Sequence, residues 1–266
     1  MKFLCTTFIV LFLTFSGISL LLYMFQDNLL FFPHKGGQED LKQFSKHEIT
    51  FNNNGVVLHG WFIKREISRE KPLLIYYGGN AEEVSSNLWD LGKFHTGSLL
   101  FMNYRGFGKS QGKPSEKRLF EDALFIFDQI IKKEQVTPDS ILVVGRSLGS
   151  GVAVYVARHR EVRGVILITP FDSVLNIAKQ QYPIFPVSFL LNHRFDSLSL
   201  APTIKKPALF LMGSEDTIIP NQNSENLLKH WGGAVYFKVI QGATHNTISD
   251  YKEYWQEINS FVSLEH

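Results

Sequence analysis

Two copies of the pattern Gly-x-Ser-x-Gly, in which a serine lies between two small residues, occur in the sequence. The copy GRSLG at 145–149 directly follows an apolar run, 141–144, and opens a segment with helical periodicity. A strand, a sharp turn and a helix in this order form a nucleophile elbow, which holds the serine oxygen at a helix N-terminus above a sheet. The copy GKSQG at 108–112 has no strand feeding directly into it and no helix leaving it. We therefore predict Ser147 as a nucleophile and Ser110 as an ordinary loop serine.

A serine hydroxyl becomes an effective nucleophile when a base takes its proton and an anion orients that base. After an elbow of this kind the acid and then the histidine are expected in loops that follow later strands. Asp216 follows the apolar run 208–212, and His245 follows the run 235–240. Glu215 is the rival acid, but the spacing of Asp216 to the Ile-Ile-Pro that follows favours Asp216. The predicted triad therefore joins Asp216 and His245 to the elbow serine, and the other histidines are expected in surface or packing roles.

An acyl-transfer site also needs hydrogen-bond donors for the developing oxyanion, and loss of one donor typically costs about 10² to 10³ in rate. We expect one donor to be the backbone N–H of Leu148, the residue after the serine. The second is expected in the turn GGNA at 78–81, where two glycines let the backbone approach closely. We predict Asn80 as this donor, with Gly79 as the alternative; a purely structural tight turn is the other interpretation.

These residues must be positioned by regular elements, and the hydrophobic pattern predicts eight strands that alternate with helices in the later part of the chain. The predicted strands are 47–52, 56–64, 72–77, 97–103, 141–145, 164–169, 207–212 and 234–240, and the predicted helices lie near 81–93, 116–134, 148–159, 221–230 and 247–264. Alternation of this kind implies right-handed crossovers and a mainly parallel sheet with helices on both faces. The first two strands flank Asn53-Asn54-Gly55, which predicts an antiparallel hairpin at one edge.

One connection is too long for this alternation. About 38 residues separate the strand that ends near Thr169 from the one that starts at Ala208, so we expect an inserted, cap-like element at about 171–205. The insertion is rich in aromatic residues and proline, which suits a cover over an acyl pocket, although the same side chains could simply pack the insertion onto the domain. The residues predicted to bind substrate are Phe107, Tyr182, Phe185 and Phe189.

The N-terminus predicts a membrane anchor. The 23 residues from Phe3 to Phe25 include no charged residue, and at about 1.5 Å each they give roughly 34 Å of helix, enough to cross a bilayer. We therefore predict a transmembrane anchor at 1–27 and a catalytic domain at 28–266. Lys2 before the apolar run favours a domain on the non-cytoplasmic side. The alternative is a signal peptide cleaved near 17–19 and a secreted protein, but the apolar run continues well past that point.

The composition excludes several classes of function. With 27 basic and 25 acidic residues, the net charge of +2 gives no electrostatic footprint for a nucleic acid. Cys5 is the only cysteine, so the chain has neither an internal disulfide framework nor a thiolate metal cage. We expect no nucleic-acid partner, no metal and no cofactor.

The motifs, taken in order, resemble the membrane-anchored branch of α/β-hydrolases, which includes bud-emergence-mutant-suppressor proteins and protein depalmitoylases of the abhydrolase-domain type. The resemblance spans about Leu29 to the C-terminus. It is carried by GGNA (78–81), NYRGFGKS (103–110), GRSLG (145–149), PF (170–171), RFDS (194–197), GSEDTIIP (213–220) and GATH (242–245).

This resemblance implies an α/β-hydrolase fold and hydrolysis of carboxylic esters or thioesters by a Ser-His-Asp acyl-enzyme mechanism without a cofactor. The substrate would be a small or lipid-like acyl ester. Where relatives often carry His-Gly-Asn, this chain has Gly78-Gly79-Asn80, so the backbone donor is kept while the local polar network changes. A serine peptidase of the same fold and a non-catalytic, membrane-tethered binding protein are the alternatives, and the intact triad argues against the second.

Overall fold

Residues 2–264 are described by the computed structural model, apart from the side chains of Lys2, Gln38 and Asp40. Within this range one eight-stranded sheet is formed by β1 (Glu48–Asn53), β2 (Val56–Ile63), β3 (Leu73–Tyr77), β4 (Leu99–Met102), β5 (Ile141–Arg146), β6 (Gly164–Ile168), β7 (Ala208–Gly213) and β8 (Val235–Ile240). The order across the sheet is β1-β2-β4-β3-β5-β6-β7-β8. β2 pairs antiparallel with β1 and β4, and the other neighbouring pairs are parallel. The predicted mostly parallel α/β sheet is confirmed, with strand ends within two residues of their predicted positions.

The helices predicted near 116–134, 148–159 and 221–230 are present, and three short helices in the insertion were not predicted. The α-helices are α1 (Lys2–Leu30), α2 (Gln38–Gln43), α3 (Glu116–Glu134), α4 (Leu148–His159), α5 (Val174–Gln181), α6 (Val187–Leu190), α7 (Ser197–Leu200), α8 (Asn221–Lys229) and α9 (Lys252–Ser263). The segment Val84–Lys93, predicted as a helix, is a 3₁₀-helix, and the helix predicted at 247–264 is divided into a 3₁₀ turn, Ile248–Asp250, and α9. The start of α3 is fixed by Ser115, whose side chain accepts a hydrogen bond from the N–H of Arg118.

Side chains on the two faces of the sheet belong to two separate apolar layers. On one face Ile75 and Val143 pack with residues of α3 and α4, such as Phe127. On the other face Leu74 and neighbouring strand residues pack with α9, where Ile258 is buried. Because the inner parallel strands are covered on both faces, they appear in the sequence as continuous apolar runs and not as alternating ones.

The insertion between β6 and β7 contains α5, α6, α7 and the 3₁₀ turn Ala201–Thr203. Glu116, at the start of α3, joins the insertion to the main domain. Its carboxylate accepts hydrogen bonds from the backbone N–H groups of Arg194 and Phe195 at 2.7 and 2.8 Å. Burial raises the pKa of Glu116. The segment 171–205, predicted as a cap-like insertion, thus contains three short helices and is bonded to the start of α3.

The N-terminal helix α1 is continuous from Lys2 to Leu30, so it extends three residues beyond the predicted anchor boundary at 27. The part Phe3–Leu30 is long and apolar enough to cross a membrane, and a signal sequence near an N-terminus meets the same criteria. Most side chains in its first half are exposed, whereas Gln26 near its end is buried at 8% exposure. The end of α1 is thus packed against the domain.

Candidate active site

Ser147 stands at the turn between β5 and α4 with a backbone φ of 51° and ψ of −119°. A positive φ is costly for a residue with a Cβ, so the turn must be held by its surroundings. A Cβ at Gly145 would lie 2.3 Å from the carbonyl oxygen of Gly149, and a Cβ at Gly149 would lie 2.0 Å from that of Tyr77. At both glycines of the motif the neighbouring backbone is too close for a side chain. The spacing of the two glycines therefore has a steric cause.

His245 and Asp216 form a buried pair. The Nδ1 atom of His245 lies 2.8 Å from Oδ2 of Asp216, and the two side chains are 8% and 2% exposed. The second carboxylate oxygen, Oδ1, accepts hydrogen bonds from the backbone N–H groups of Ile218 and Ile219 at 2.9 and 2.8 Å. These donors fix the orientation of the carboxylate. Glu215, the rival acid, is exposed to solvent.

The serine and the histidine line one pocket together. Within residues 2–264 no hydrogen bond joins the Ser147 hydroxyl to His245. In ligand-free sites such bonds are often long and shorten only when substrate binds. The structure therefore brings the three predicted triad residues to one place and shows one of the two hydrogen bonds of a triad.

Two backbone N–H groups beside Ser147 are available for an oxyanion. Leu148 is the first residue of α4, so its N–H has no intrahelical acceptor. Asn80 is held on its carbonyl side by the N–H of Phe32 at 2.9 Å and through its side chain by the carbonyl of Leu30 at 2.9 Å. In the described part of the chain the Asn80 N–H has no acceptor, whereas the N–H of Gly79 donates to Glu82 at 2.8 Å. This geometry favours Asn80 over Gly79 as the second donor.

Glu82 organises the turn that carries Asn80. Its carboxylate also accepts hydrogen bonds from the Tyr76 hydroxyl at 2.8 Å and the Asn87 amide at 2.6 Å. Burial, followed by the neighbouring Glu82 charge, raises the pKa of Tyr76. Arg146 lies 3.6 Å from Glu82 and donates to the carbonyl of His245 at 3.3 Å. This network was not predicted from the sequence, in which its only signal was Arg146, a charged residue inside the elbow motif.

Two cavities meet at Ser147. One, of about 240 Å³, is apolar; it is lined by residues of α1, α5 and α6 together with Asn80, Leu148, Phe171, Ile218 and Ile219. The other, of about 370 Å³, is the more polar of the two and is called the polar cavity below; it is lined by His34, Gly36, Gly37, Gly79, Ala81, Glu82, Glu83, Ser86, Arg146, His245 and Asn246. Ser147, Asn80 and Ile218 line both cavities. Ser147 therefore has an apolar cavity on one side and a more polar cavity on the other.

The profile of the Dienelactone hydrolase family matches residues 107–260, more than half of the chain, and this range includes Ser147, Asp216 and His245. The chain belongs to the Dienelactone hydrolase family. It is a hydrolase with the α/β-hydrolase fold.

Three known proteins illustrate what this chain is similar to. The protein YfhR of Salmonella typhi is 31% identical over 199 residues, which cover 67% of each chain. The α/β-hydrolase domain-containing protein WAV2 of Arabidopsis thaliana is 26% identical over 241 residues, covering 79% of this chain and 78% of that protein. Among solved structures, an acetyl xylan esterase from Paenibacillus sp. R4 superposes with a TM-score of 0.62 at 16% identity, covering 90% of this chain and 98% of the other. At that identity the last likeness shows the fold alone.

Of the four residues predicted to bind substrate, one lines either of the two cavities at Ser147. Tyr182 lines the apolar cavity. Phe107 is fully buried in the core, where its ring packs edge-on against Tyr104 at a centroid distance of 5.9 Å. Phe185 stacks on Phe15 of α1 at 5.4 Å, and Phe189 points outward with 90% exposure. These three side chains therefore lie outside both cavities at Ser147, and their assignment to substrate binding stays a prediction.

Sequence reasoning did not assign two sets of residues to the site: His34, which is exposed as predicted and also lines the polar cavity, and the residues of α1 that line the apolar cavity. Ser110 has a structural role. Its buried hydroxyl accepts a hydrogen bond from the backbone N–H of His59 at 2.8 Å and lies 3.0 Å from the carbonyl oxygen of Asn103. Among residues 2–264 no group of three or more His, Cys, Asp or Glu side chains is arranged to hold a metal ion.

Proposed function

We propose that this hydrolase cleaves carboxylic ester or thioester bonds through an acyl-enzyme at Ser147, with His245 as general base and Asp216 as the residue that orients it. The observation that carries the proposal is the joint position of an elbow serine and a buried His–Asp pair at the meeting point of two cavities. Serine hydrolysis of acyl compounds needs this combination of nucleophile, base and fixed anion.

In the proposed mechanism the Ser147 oxygen attacks the acyl carbon while Nε2 of His245 takes the serine proton. Asp216 holds the Nδ1–H of His245 and stabilises the imidazolium that forms. The N–H groups of Leu148 and Asn80 donate to the oxyanion. The His245 proton then passes to the leaving oxygen or sulfur, and the acyl-oxygen bond to Ser147 remains. Water attacks this ester in the same way, which releases a carboxylic acid and restores the serine.

The two cavities suggest how such a substrate is oriented. The apolar cavity suits the acyl group, since burial of hydrocarbon there removes it from water. The polar cavity, with His34, Arg146 and Asn246 on its wall, suits a polar leaving group. The proposed substrate is therefore an amphiphilic acyl ester or thioester whose polar part remains close to water.

We also propose that α1 anchors the protein in a membrane as a single span, with the domain on the non-cytoplasmic side. The length and apolar composition of Phe3–Leu30 and the exposed side chains of its first half support an anchor. Lys2 before the span supports the orientation.

Labelling of the full-length protein in detergent with a serine-directed fluorophosphonate tests the proposed nucleophile. Ser147→Ala is expected to abolish labelling and hydrolysis of p-nitrophenyl esters of graded chain length. Ser110→Ala, in the second copy of the motif, is the matched control and is expected to keep its label, with folding checked by thermal melting. Wild-type protein that is folded but neither labels nor hydrolyses any ester would contradict the enzyme and favour a binding protein.

A further inference from the structure

The end of α1 forms part of the wall of the apolar cavity. Leu22, Gln26, Leu29 and Leu30 line it together with Ser147. Their spacing of four, three and one residues places them on one face of the helix. The opposite wall comes from α5 and α6 of the insertion. The helix that is long enough to span a membrane is thus also a boundary of the cavity that contains the candidate nucleophile.

Specific hydrogen bonds fix how α1 is rotated against the insertion. The side-chain amide of Gln26 donates to the carbonyl of Leu190 at 3.1 Å, and its oxygen accepts from the N–H of Asn192 at 2.7 Å. One residue further along, Asp27 lies 2.9 Å from Nε2 of His193. A buried amide whose two ends are both bonded allows one rotation of the helix about its axis. In that rotation Leu22 faces the cavity.

The insertion also contacts α1 deep within the apolar run. Phe185 stacks on Phe15, which lies ten residues before the end of that run at Phe25, or about 15 Å along the helix axis. Beside Phe185, Ile184 and Phe189 are 73% and 90% exposed. If α1 crosses a bilayer, these apolar side chains lie at the depth of the lipid chains, which explains their exposure to the surroundings of the protein.

Resting on the proposed function, we propose that α1 is a specificity-determining wall of the acyl cavity, and that the cavity receives the long acyl chain of an ester or thioester directly from the bilayer. Lateral entry between α1 and the insertion keeps the chain in an apolar environment throughout. The ester group then reaches Ser147, near the end of α1, where the polar cavity is available to the leaving group.

The wall is tested by changing one cavity-facing residue of α1 in the full-length protein reconstituted in phosphatidylcholine vesicles. Leu22→Trp fills the cavity and is expected to lower the ratio of kcat/KM for a hexadecanoyl ester to that for an acetyl ester of the same phenol by about tenfold or more. Leu22→Ala enlarges the cavity and is expected to shift the preferred chain to greater length. Leu21→Trp is the matched control, because its side chain is 55% exposed on the helix, and its ratio should equal that of the wild type.

The source of the chain is tested by placing the hexadecanoyl ester either in the same vesicles as the protein or in separate ones. Lateral entry predicts a rate about tenfold or more higher when both share a bilayer, and equal rates would overturn it. An unchanged chain-length ratio in Leu22→Trp, or an equal loss with both esters, would overturn the role of the wall. These results are interpreted only when the wild-type protein is labelled by the fluorophosphonate. If the proposed function itself fails, labelling and acetyl ester hydrolysis are both absent, so the two kinds of failure can be told apart.

Discussion

Replacing Asp216 by Asn tests whether the carboxylate fixes the tautomer of His245. In the structure Oδ1 accepts from the N–H groups of Ile218 and Ile219, while Oδ2 contacts Nδ1 of His245. The two backbone donors would hold the oxygen of an asparagine, so its NH₂ group would face Nδ1. Because NH₂ is a donor, His245 would then carry its proton on Nε2. That is the nitrogen that must accept the Ser147 proton, so the base would be blocked.

The magnitude follows from the cost of escaping this arrangement. To restore the productive tautomer the asparagine amide must flip, which leaves the N–H groups of Ile218 and Ile219 facing another donor. At about 1–3 kcal/mol for each unpaired group, the flip costs about 2–6 kcal/mol, a factor of about 30 to 10⁴ in rate. Loss of the negative charge beside the imidazolium adds to this cost, so we expect kcat to fall by about 10³ to 10⁴.

The assay is the steady-state kcat for p-nitrophenyl butyrate at neutral pH, with the full-length protein in detergent. Glu215→Gln is the matched control, since it removes the adjacent, exposed carboxylate, and it should stay within about twofold of wild type. Equal melting temperatures of the two variants would show that the fold is kept. The reasoning is refuted if Asp216→Asn keeps more than about a tenth of wild-type kcat, or if Glu215→Gln loses as much.

Two further predictions concern the elbow and the sheet edge. Gly149→Ala places a Cβ 2.0 Å from the Tyr77 carbonyl oxygen, so we expect loss of fluorophosphonate labelling and a melting temperature lower by about 3–10 °C; labelling at the wild-type rate would contradict this. At Glu48 burial raises the pKa, but hydrogen bonds from Lys109 and His59 outweigh it, so the pKa in the folded protein lies below the ordinary value of 4.5. The ionised carboxylate therefore stabilises the fold at pH values above that ordinary value, and this stabilisation is lost as the pH falls through the folded pKa. Glu48→Gln should therefore lower the melting temperature by about 1–3 °C near neutral pH and have no effect at strongly acidic pH, whereas a difference that persists in acid would show another cause.

The sheet was predictable from the sequence because its inner strands are covered on both faces. β5 and β6 are buried along nearly their whole length, and this gives short apolar runs that few other structures produce. The positions of Asp216 and His245 were predictable for a related reason, since both follow the carboxyl ends of parallel strands, which meet at one edge of a sheet. Local pattern therefore determined both the elements and the residues at their ends.

The walls of the cavities were not predictable, because an aromatic side chain has the same local signal whether it lines a pocket, fills a core or faces lipid. Phe107 and Phe189 illustrate the two extremes, with one fully buried and the other 90% exposed. Glu82 and Arg146 were missed for a different reason. Their hydrogen bonds and mutual ion pair join the turn after β3, the elbow and the histidine loop, and no periodic pattern records contacts between segments so far apart in the chain.

The role of α1 was hidden by its own composition. A helix that is apolar on all sides predicts a membrane span but not which face it presents to the protein. The informative residue is Gln26, because burying a side-chain amide costs free energy unless both its NH₂ group and its oxygen are hydrogen-bonded. In this chain Gln26 donates to the Tyr23 carbonyl within α1, and it also bonds to backbone groups of Leu190 and Asn192 in the insertion. A helix that served only as a tether would have no need of such bonds, so the buried Gln26 supports the proposal that the rotation of α1 against the insertion matters.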